Sequence, residues 1–171
     1  MTRFERLAVS AGGLGFLRPA PGTWGSLPPV VLALLMLMLG AARWQVDVSV
    51  ALLGIAFAIA CLRFGAAAER EFGKKDPGTV VADEVAGQAV ALLGLPWLTS
   101  GTVDAMTRNA LMAAGAFFAF RILDIVKPPP ANGFQSKRGG VGILLDDLVA
   151  GAYACAAAHL MARLVVPALL D

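Results

Sequence analysis

Arg121-Ile122-Leu123-Asp124-Ile125-Val126-Lys127-Pro128 closes a long apolar run with an arginine, a carboxylate and a lysine at three-residue steps. Residues three and four apart share a helix face, so Arg121, Asp124 and Lys127 rise along one side. Three charges on one face of a membrane-length helix are costly, because each resists dehydration. Two readings follow: a salt-bridged helix end, or a site for an anionic group. Two further acidic clusters, Asp83-Glu84 and Asp146-Asp147, also stand at the starts of apolar runs and favour the second.

The 171 residues, 58% hydrophobic and 15% charged, depart from soluble globular averages and indicate an integral membrane protein in one domain, residues 1–171. A net charge of +2 gives no reason to expect a nucleic-acid partner. Cys61 and Cys155 lie in apolar runs without Cys-x-x-Cys spacing and read as packing residues. The sole histidine, His159, reads as packed or interfacial. Residues 1–9 lack the apolar core and small-residue site of a cleavable signal.

Outward from the opening stretch, five apolar runs alternate with connectors. Leu27–Ala42 and Val48–Leu62 are slightly short of the roughly 20 residues that cross a bilayer. Upstream of them, Ala20-Pro21-Gly22-Thr23-Trp24-Gly25-Ser26 reads as a turn with Ser26 as N-cap of the first long helix. A helix start there, with the Thr23 hydroxyl nearby, also suits phosphate. Lys74-Lys75-Asp76-Pro77-Gly78 marks a turn, and the third run continues from Val80 to Leu98. Val85–Leu98 is only 14 residues and includes Gln88, which leaves a true span and a shorter re-entrant helix both open. Ala110–Val126 is stopped by three prolines, and the last run extends from Ile143 to Val166. The fold class is therefore all-α: an integral membrane helical bundle of about five apolar helices, some short or re-entrant.

If the N-terminus is cytoplasmic and every run crosses, 11 of the 14 lysines and arginines fall on one side, in accord with the positive-inside rule. The same side collects Thr23, Asp76, Asp83, Glu84, Asp124, Lys127, Asp146 and Asp147. Asp83-x-x-x-Gly87 and Asp147-x-x-x-Gly151 each set a carboxylate one turn before a glycine. Glycines let membrane helices approach, so the two could cross and bring their carboxylates together.

Six gathered carboxylates need compensation, and an all-oxygen set suits Mg²⁺ or Mn²⁺. With Arg121, Lys127, Lys137 and Arg138 on the same side, this is the equipment of phosphoryl chemistry. Cys-x₅-Arg is absent, one histidine cannot serve as both nucleophile and acid, and no Asp-x-Asp follows a strand signal. Metal-activated water remains, and the interfacial site makes a phosphorylated lipid the natural substrate. The alternative is a small ion- or proton-coupled transporter using the clustered carboxylates. Against it, none of these carboxylates lies near the middle of a run. A scaffold binding anionic lipid through its basic loops is a third reading.

The segments Ala20–Leu27, Asp83–Gly87, Phe120–Pro128 and Gly140–Gly151, in this order, resemble the phosphatidylglycerophosphatase A family. The resemblance implies a Mg²⁺-dependent phosphatase of the bacterial cytoplasmic (inner) membrane, multi-pass, with its active site facing the cytoplasm. It implies hydrolysis of phosphatidylglycerophosphate to phosphatidylglycerol and inorganic phosphate. On this basis Asp83, Glu84, Asp146 and Asp147 are expected to bind the metal, and Asp83, Glu84, Asp124 and Asp147 to be catalytic. Glu84 or Asp124 would orient the water, while Arg121, Lys127 and Thr23 bind the phosphate. Asp76, Lys137 and Arg138 lie where the sequence departs from the family pattern and receive no role from it. The expected partners are the phospholipid and the membrane, and the Ala/Gly-rich faces permit a homo-oligomer.

Overall fold

The computed structural model describes residues 1–129 and 139–170, with side chains described as far as Leu164. The described residues form six α-helices and no strand: α1 (Arg3–Val9), α2 (Pro21–Met38), α3 (Arg43–Phe72), α4 (Ala82–Leu92), α5 (Val103–Val126) and α6 (Gly140–Leu170), with a glycine-rich 3₁₀ segment at Ala11–Phe16. Among them α2, α3, α5 and α6 are long and apolar enough to cross a membrane.

The long helix α3 buries its smaller residues and turns its large ones outward. On α3, Trp44, Val48, Leu52, Ile55, Ile59 and Leu62 recur at three- and four-residue steps and are exposed. Val46, Val50, Gly54, Cys61, Gly65 and Ala68 are buried on its other face. Lipid tails are as apolar as leucine, so helices in a membrane associate through close packing rather than water exclusion. Glycine contacts carry that packing. A Cβ on Gly87 would lie 2.6 Å from the Asp147 carbonyl oxygen, and one on Gly151 would overlap the Gly87 carbonyl. A Cβ on Gly65 would lie 2.7 Å from Gly140 Cα, and one on Gly54 2.7 Å from Ala89 Cβ. The paired Asp-x-x-x-Gly motifs thus do mark a crossing, of α4 with α6.

The helices α3 and α5 outrun their apolar runs, Val48–Leu62 and Ala110–Val126, and two further boundaries that bear on the site also differ from the sequence expectation. The first long helix begins at Pro21, not after Ser26, so Pro28 and Pro29 lie inside it. Proline at the first helical position leaves no bond unmade, and Ser26 donates from Oγ back to the Gly22 carbonyl at 2.7 Å instead of capping. The third apolar run forms a helix of only 11 residues, nine of them buried. At 1.5 Å per residue α4 covers about half of a bilayer core.

Beyond α4 the chain continues without helix toward the far end of the bundle. Gly94 adopts φ 68°, which ends α4, and Pro96 lacks an N–H. Non-helical backbone at membrane depth persists only where protein groups satisfy it. Four side chains from three helices do so here. Asp47 of α3 accepts from the Gly94 N–H at 3.1 Å. His159 of α6 donates from Nε2 to the Gly94 carbonyl at 2.9 Å, and Cys155 donates to the Leu93 carbonyl at 3.5 Å. Asn109 of α5 accepts from the Leu98 N–H at 2.9 Å and donates to its carbonyl at 2.8 Å. His159 is thus a packing residue, as its place in an apolar run predicts, and both cysteines are free.

These contacts orient the bundle. The starts of α2, α4 and α6 and the ends of α3 and α5 share one end, and residues 93–102 lie at the other.

Replacing Gly151 with alanine should lower the melting temperature in detergent, with a cost of about 1–3 kcal/mol for overpacking the crossing. Ile59→Ala, on the lipid face, should leave it nearly unchanged. Asn109→Leu should cost about 1–3 kcal/mol by leaving both Leu98 backbone groups unpaired, a loss that thermal unfolding in detergent would register.

Candidate active site

The end shared by the helix starts gathers Arg121, Lys127 and the five carboxylates expected to form the site, Asp83, Glu84, Asp124, Asp146 and Asp147. Asp83 and Glu84 stand in the first turn of α4, where the helix dipole favours negative charge. Asp146 and Asp147 lie on α6, Arg121 and Asp124 in the last turns of α5, and Lys127 is its C-cap. Asp83, Asp124, Asp146 and Asp147 are buried, at 5%, 9%, 4% and 2% exposure. Carboxylates so withdrawn from water need a compensating charge.

The cluster divides into two halves. In the acidic half, Asp83, Glu84 and Asp147 each offer an oxygen, all within 4.8 Å of one another. Asp83 Oδ1, Glu84 Oε2 and Asp147 Oδ2 are buried with no hydrogen-bond partner, as is Asp146 Oδ1 nearby. In the cationic half, Arg121 Nη1 contacts Asp124 Oδ2 at 3.0 Å, and Lys127 Nζ lies 3.9 Å from Asp124 Oδ1 and is hydrogen-bonded to Asp146. Asp124 and Asp146 therefore hold the cations in place. They stand less open to a metal than Asp83, Glu84 and Asp147.

The backbone is bent to deliver two of these side chains. Lys127 and Asp76 both have φ 47°, a left-handed conformation that costs a side-chain-bearing residue about 1 kcal/mol or more. The Lys127 N–H still donates to the Leu123 carbonyl at 2.8 Å, and Tyr153 of α6 donates to the Pro129 carbonyl at 3.0 Å. The end of α5 is thereby pinned against α6. Burial alone would lower the Lys127 pKa, but the hydrogen bond and charge of Asp146, with Asp147 and Asp124, reverse this and hold it above the ordinary lysine value. Lys127 stays cationic. A cleft of about 220 Å³ opens beside it, lined by Lys75, Asp76, Gly142, Ile143 and Asp146. Desolvation there pushes the Asp76 carboxyl above the usual aspartate range; Lys127 opposes the shift, while Asp146 and Asp124 add to it.

Three residues outside the predicted set belong to this end. Ser26 Oγ accepts from Arg121 Nη1 at 3.4 Å, so Ser26, and not Thr23, is the α2 hydroxyl that meets the guanidinium. The Thr23 N–H donates to the Ala20 carbonyl at 3.0 Å and is already occupied. Gly22 lies against both halves: a Cβ there would fall 2.8 Å from Arg121 Nη2 and would overlap Glu84 Oε1. Glu69 accepts from the Gly139 N–H at 3.0 Å and the Asp76 N–H at 3.4 Å, tying together two loops that border the cleft. No charge pattern in the sequence marks Gly22 or Ser26, because their roles arise from where α2 docks. Lys137 and Arg138 lie outside the described residues.

A trio of buried, unpaired carboxylate oxygens beside paired cations suits a hard divalent ion next to an anionic group. Without an ion the acidic half destabilises the fold by mutual repulsion, while Asp124 stabilises its cations. Two substitutions of the same chemistry should therefore act in opposite directions in chelator-treated protein. Asp147→Asn should raise the melting temperature. Asp124→Asn should lower it, with a stability cost of about 1–3 kcal/mol.

Comparison with known proteins identifies the group to which this arrangement belongs. The family model described as phosphatidylglycerophosphatase A matches residues 7–162. Phosphatidylglycerophosphatase A of Haemophilus influenzae is 34% identical over 149 residues, covering 86% of this chain and 82% of the relative. The Escherichia coli protein of the same name is 36% identical over 146 residues, covering 85% and 75%. A Bacteroides thetaiotaomicron protein provisionally named phosphatidylinositol-3-phosphatase is 33% identical over 144 residues, covering 82% of each. No solved structure matches the chain. The matches span the helices that carry both halves of the cluster, and the chain belongs to the phosphatidylglycerophosphatase A family.

Proposed function

We propose that this protein is a membrane phosphatase that hydrolyses phosphatidylglycerophosphate to phosphatidylglycerol and inorganic phosphate, with Mg²⁺ held by Asp83, Glu84 and Asp147. The observation that carries the reading is the trio of buried, unpaired carboxylate oxygens beside Arg121 and Lys127. Two relatives named for this reaction support the substrate. The third carries a different lipid headgroup in its name. Phosphate chemistry is common to the names, and the headgroup differs.

A divalent ion in such a site supplies neutralisation of phosphate oxygens and acidification of water. The chain's own residues do the rest. Arg121 and Lys127 bind the terminal phosphate and stabilise the charge that develops on it. Asp124 and Asp146 fix those cations in position through their ion pairs. Glu84, which lies with Arg121 against Gly22, orients the attacking water; Asp124 is less suited, since both of its oxygens face cations. Gly22 lets α2 approach Glu84 and Arg121 closely. Asp146, held by Lys127 through Oδ2, keeps one further buried and unpartnered oxygen, Oδ1, that would be available to the ion.

The site end faces the cytoplasm in a bacterial inner membrane. Among the described residues, that orientation is supported by nine lysines and arginines on its side against Arg43, Arg108 and Arg163 on the other.

Phosphate release from phosphatidylglycerophosphate in detergent micelles should require Mg²⁺ and stop in excess EDTA. Asp83→Asn and Asp147→Asn should each lower the rate about 100-fold or more while the protein remains folded. Release untouched by EDTA would remove the metal from this account. Near-normal release by both variants would remove the site assignment.

A further inference from the structure

We propose that Gln88 is a positioning residue for the candidate site, its amide joining Glu84 of the acidic half to Arg121 of the cationic half. This inference rests on the phosphatase reading above. Gln88 lies within α4 and is 0% exposed. Neither its Nε2 nor its Oε1 has a hydrogen-bond partner among the described residues. An amide withdrawn from water without partners is costly. Leucine or methionine would fill the same space without that cost.

The amide is directed to the site. Glu84 precedes Gln88 by four residues, which sets both side chains on one face of α4 with Cβ atoms about 5–6 Å apart. Helical side chains tilt toward the helix N-terminus, and Asp83 and Glu84 mark that end of α4. This face is covered by α2 and α5. Glu84 lies with Arg121 against Gly22. Leu92, four residues beyond Gln88, packs in one cluster with Val30 and Ala33 of α2 and Met112 and Ala116 of α5. Arg121 reaches the level between them. Its Nη1 donates to Ser26 Oγ at 3.4 Å, one turn into α2 from Gly22, and its Cζ stands 5.9 Å from the centre of the Phe120 ring. A Cβ on Gly87, the residue before Gln88, would lie 2.6 Å from that ring.

The unmatched groups are complementary. Among the described residues, Glu84 Oε2 is a buried acceptor and Arg121 Nε a buried donor, both without a partner. One amide supplies what each lacks. Nε2 donates to the carboxylate and Oε1 accepts from the guanidinium, directly or across one water. Glu84 is thereby kept turned to the ion, and Arg121 keeps its Nη atoms for the phosphate. Removing a group that orients an ion's ligand typically lowers affinity by about 10–100-fold.

The test measures ion binding apart from turnover, by electron paramagnetic resonance of Mn²⁺ added to the full chain in detergent. Gln88→Met keeps roughly the volume and removes the amide. It should weaken Mn²⁺ binding by about tenfold to a hundredfold and shrink the rise in melting temperature that Mg²⁺ produces. In excess EDTA its melting temperature should equal or exceed that of the wild type, because the amide there has no partner to lose. Phosphate release from phosphatidylglycerophosphate should need a correspondingly higher Mg²⁺ concentration. Gln88→Leu should repeat this pattern. Trp97→Phe removes another buried, unpartnered N–H, at the far end, and should leave Mn²⁺ binding unchanged. Wild-type Mn²⁺ binding in both Gln88 variants, their failure to fold in EDTA, or equal weakening by Trp97→Phe would overturn the role and leave Gln88 a packing residue. Wild-type protein that binds no Mn²⁺ would instead overturn the ion site of the phosphatase reading, and this role with it.

Discussion

The crossing of α4 and α6 at Gly87 and Gly151 is the contact on which the rest depends. The two helices run in the same direction and touch backbone to backbone, each with a carboxylate four residues before its glycine. Any Cβ at the crossing would push the helices apart, and Asp83 and Asp147 with them. Close packing thus brings together charges that electrostatics would separate. The repulsion is offset by helix contacts made over the whole length of the bundle, which is why the strain can be stored at one end.

Hydrogen-bond accounting separates the two ends. At the far end, the non-helical stretch after α4 would be untenable in hydrocarbon, and Asp47, Asn109, Cys155 and His159 satisfy its backbone groups. At the other end, four carboxylate oxygens are buried with nothing to accept from. Polar side chains at membrane depth are costly wherever they occur. Those of the far end have done their work once the chain has folded. Those of the site end remain available to a ligand, and this difference is what assigns function to one end of the molecule.

The short α4 also positions the acidic half. A half-helix whose far end is held by side chains from its neighbours sets Asp83 and Glu84 in its first turn, at the end where α6 crosses it.

The sequence by itself determined the class of the protein. Apolar runs of near-bilayer length, the side of the membrane that collects the basic residues, and the carboxylates at run ends are all properties of single segments, so they are legible without contacts. The Asp-x-x-x-Gly pairs were legible too, since they record the local price of a helix crossing. Tertiary structure alone decided how the charges divide. Asp124 and Asp146 became partners of Arg121 and Lys127, while Asp83, Glu84 and Asp147 were left unpaired, because pairing depends on which helix ends meet. It also moved the start of α2 back to Pro21, which brought Gly22 and Ser26 to the site in front of Thr23. Periodicity describes the face a residue occupies on its own helix, but the partner across from that face is set only when the helices pack.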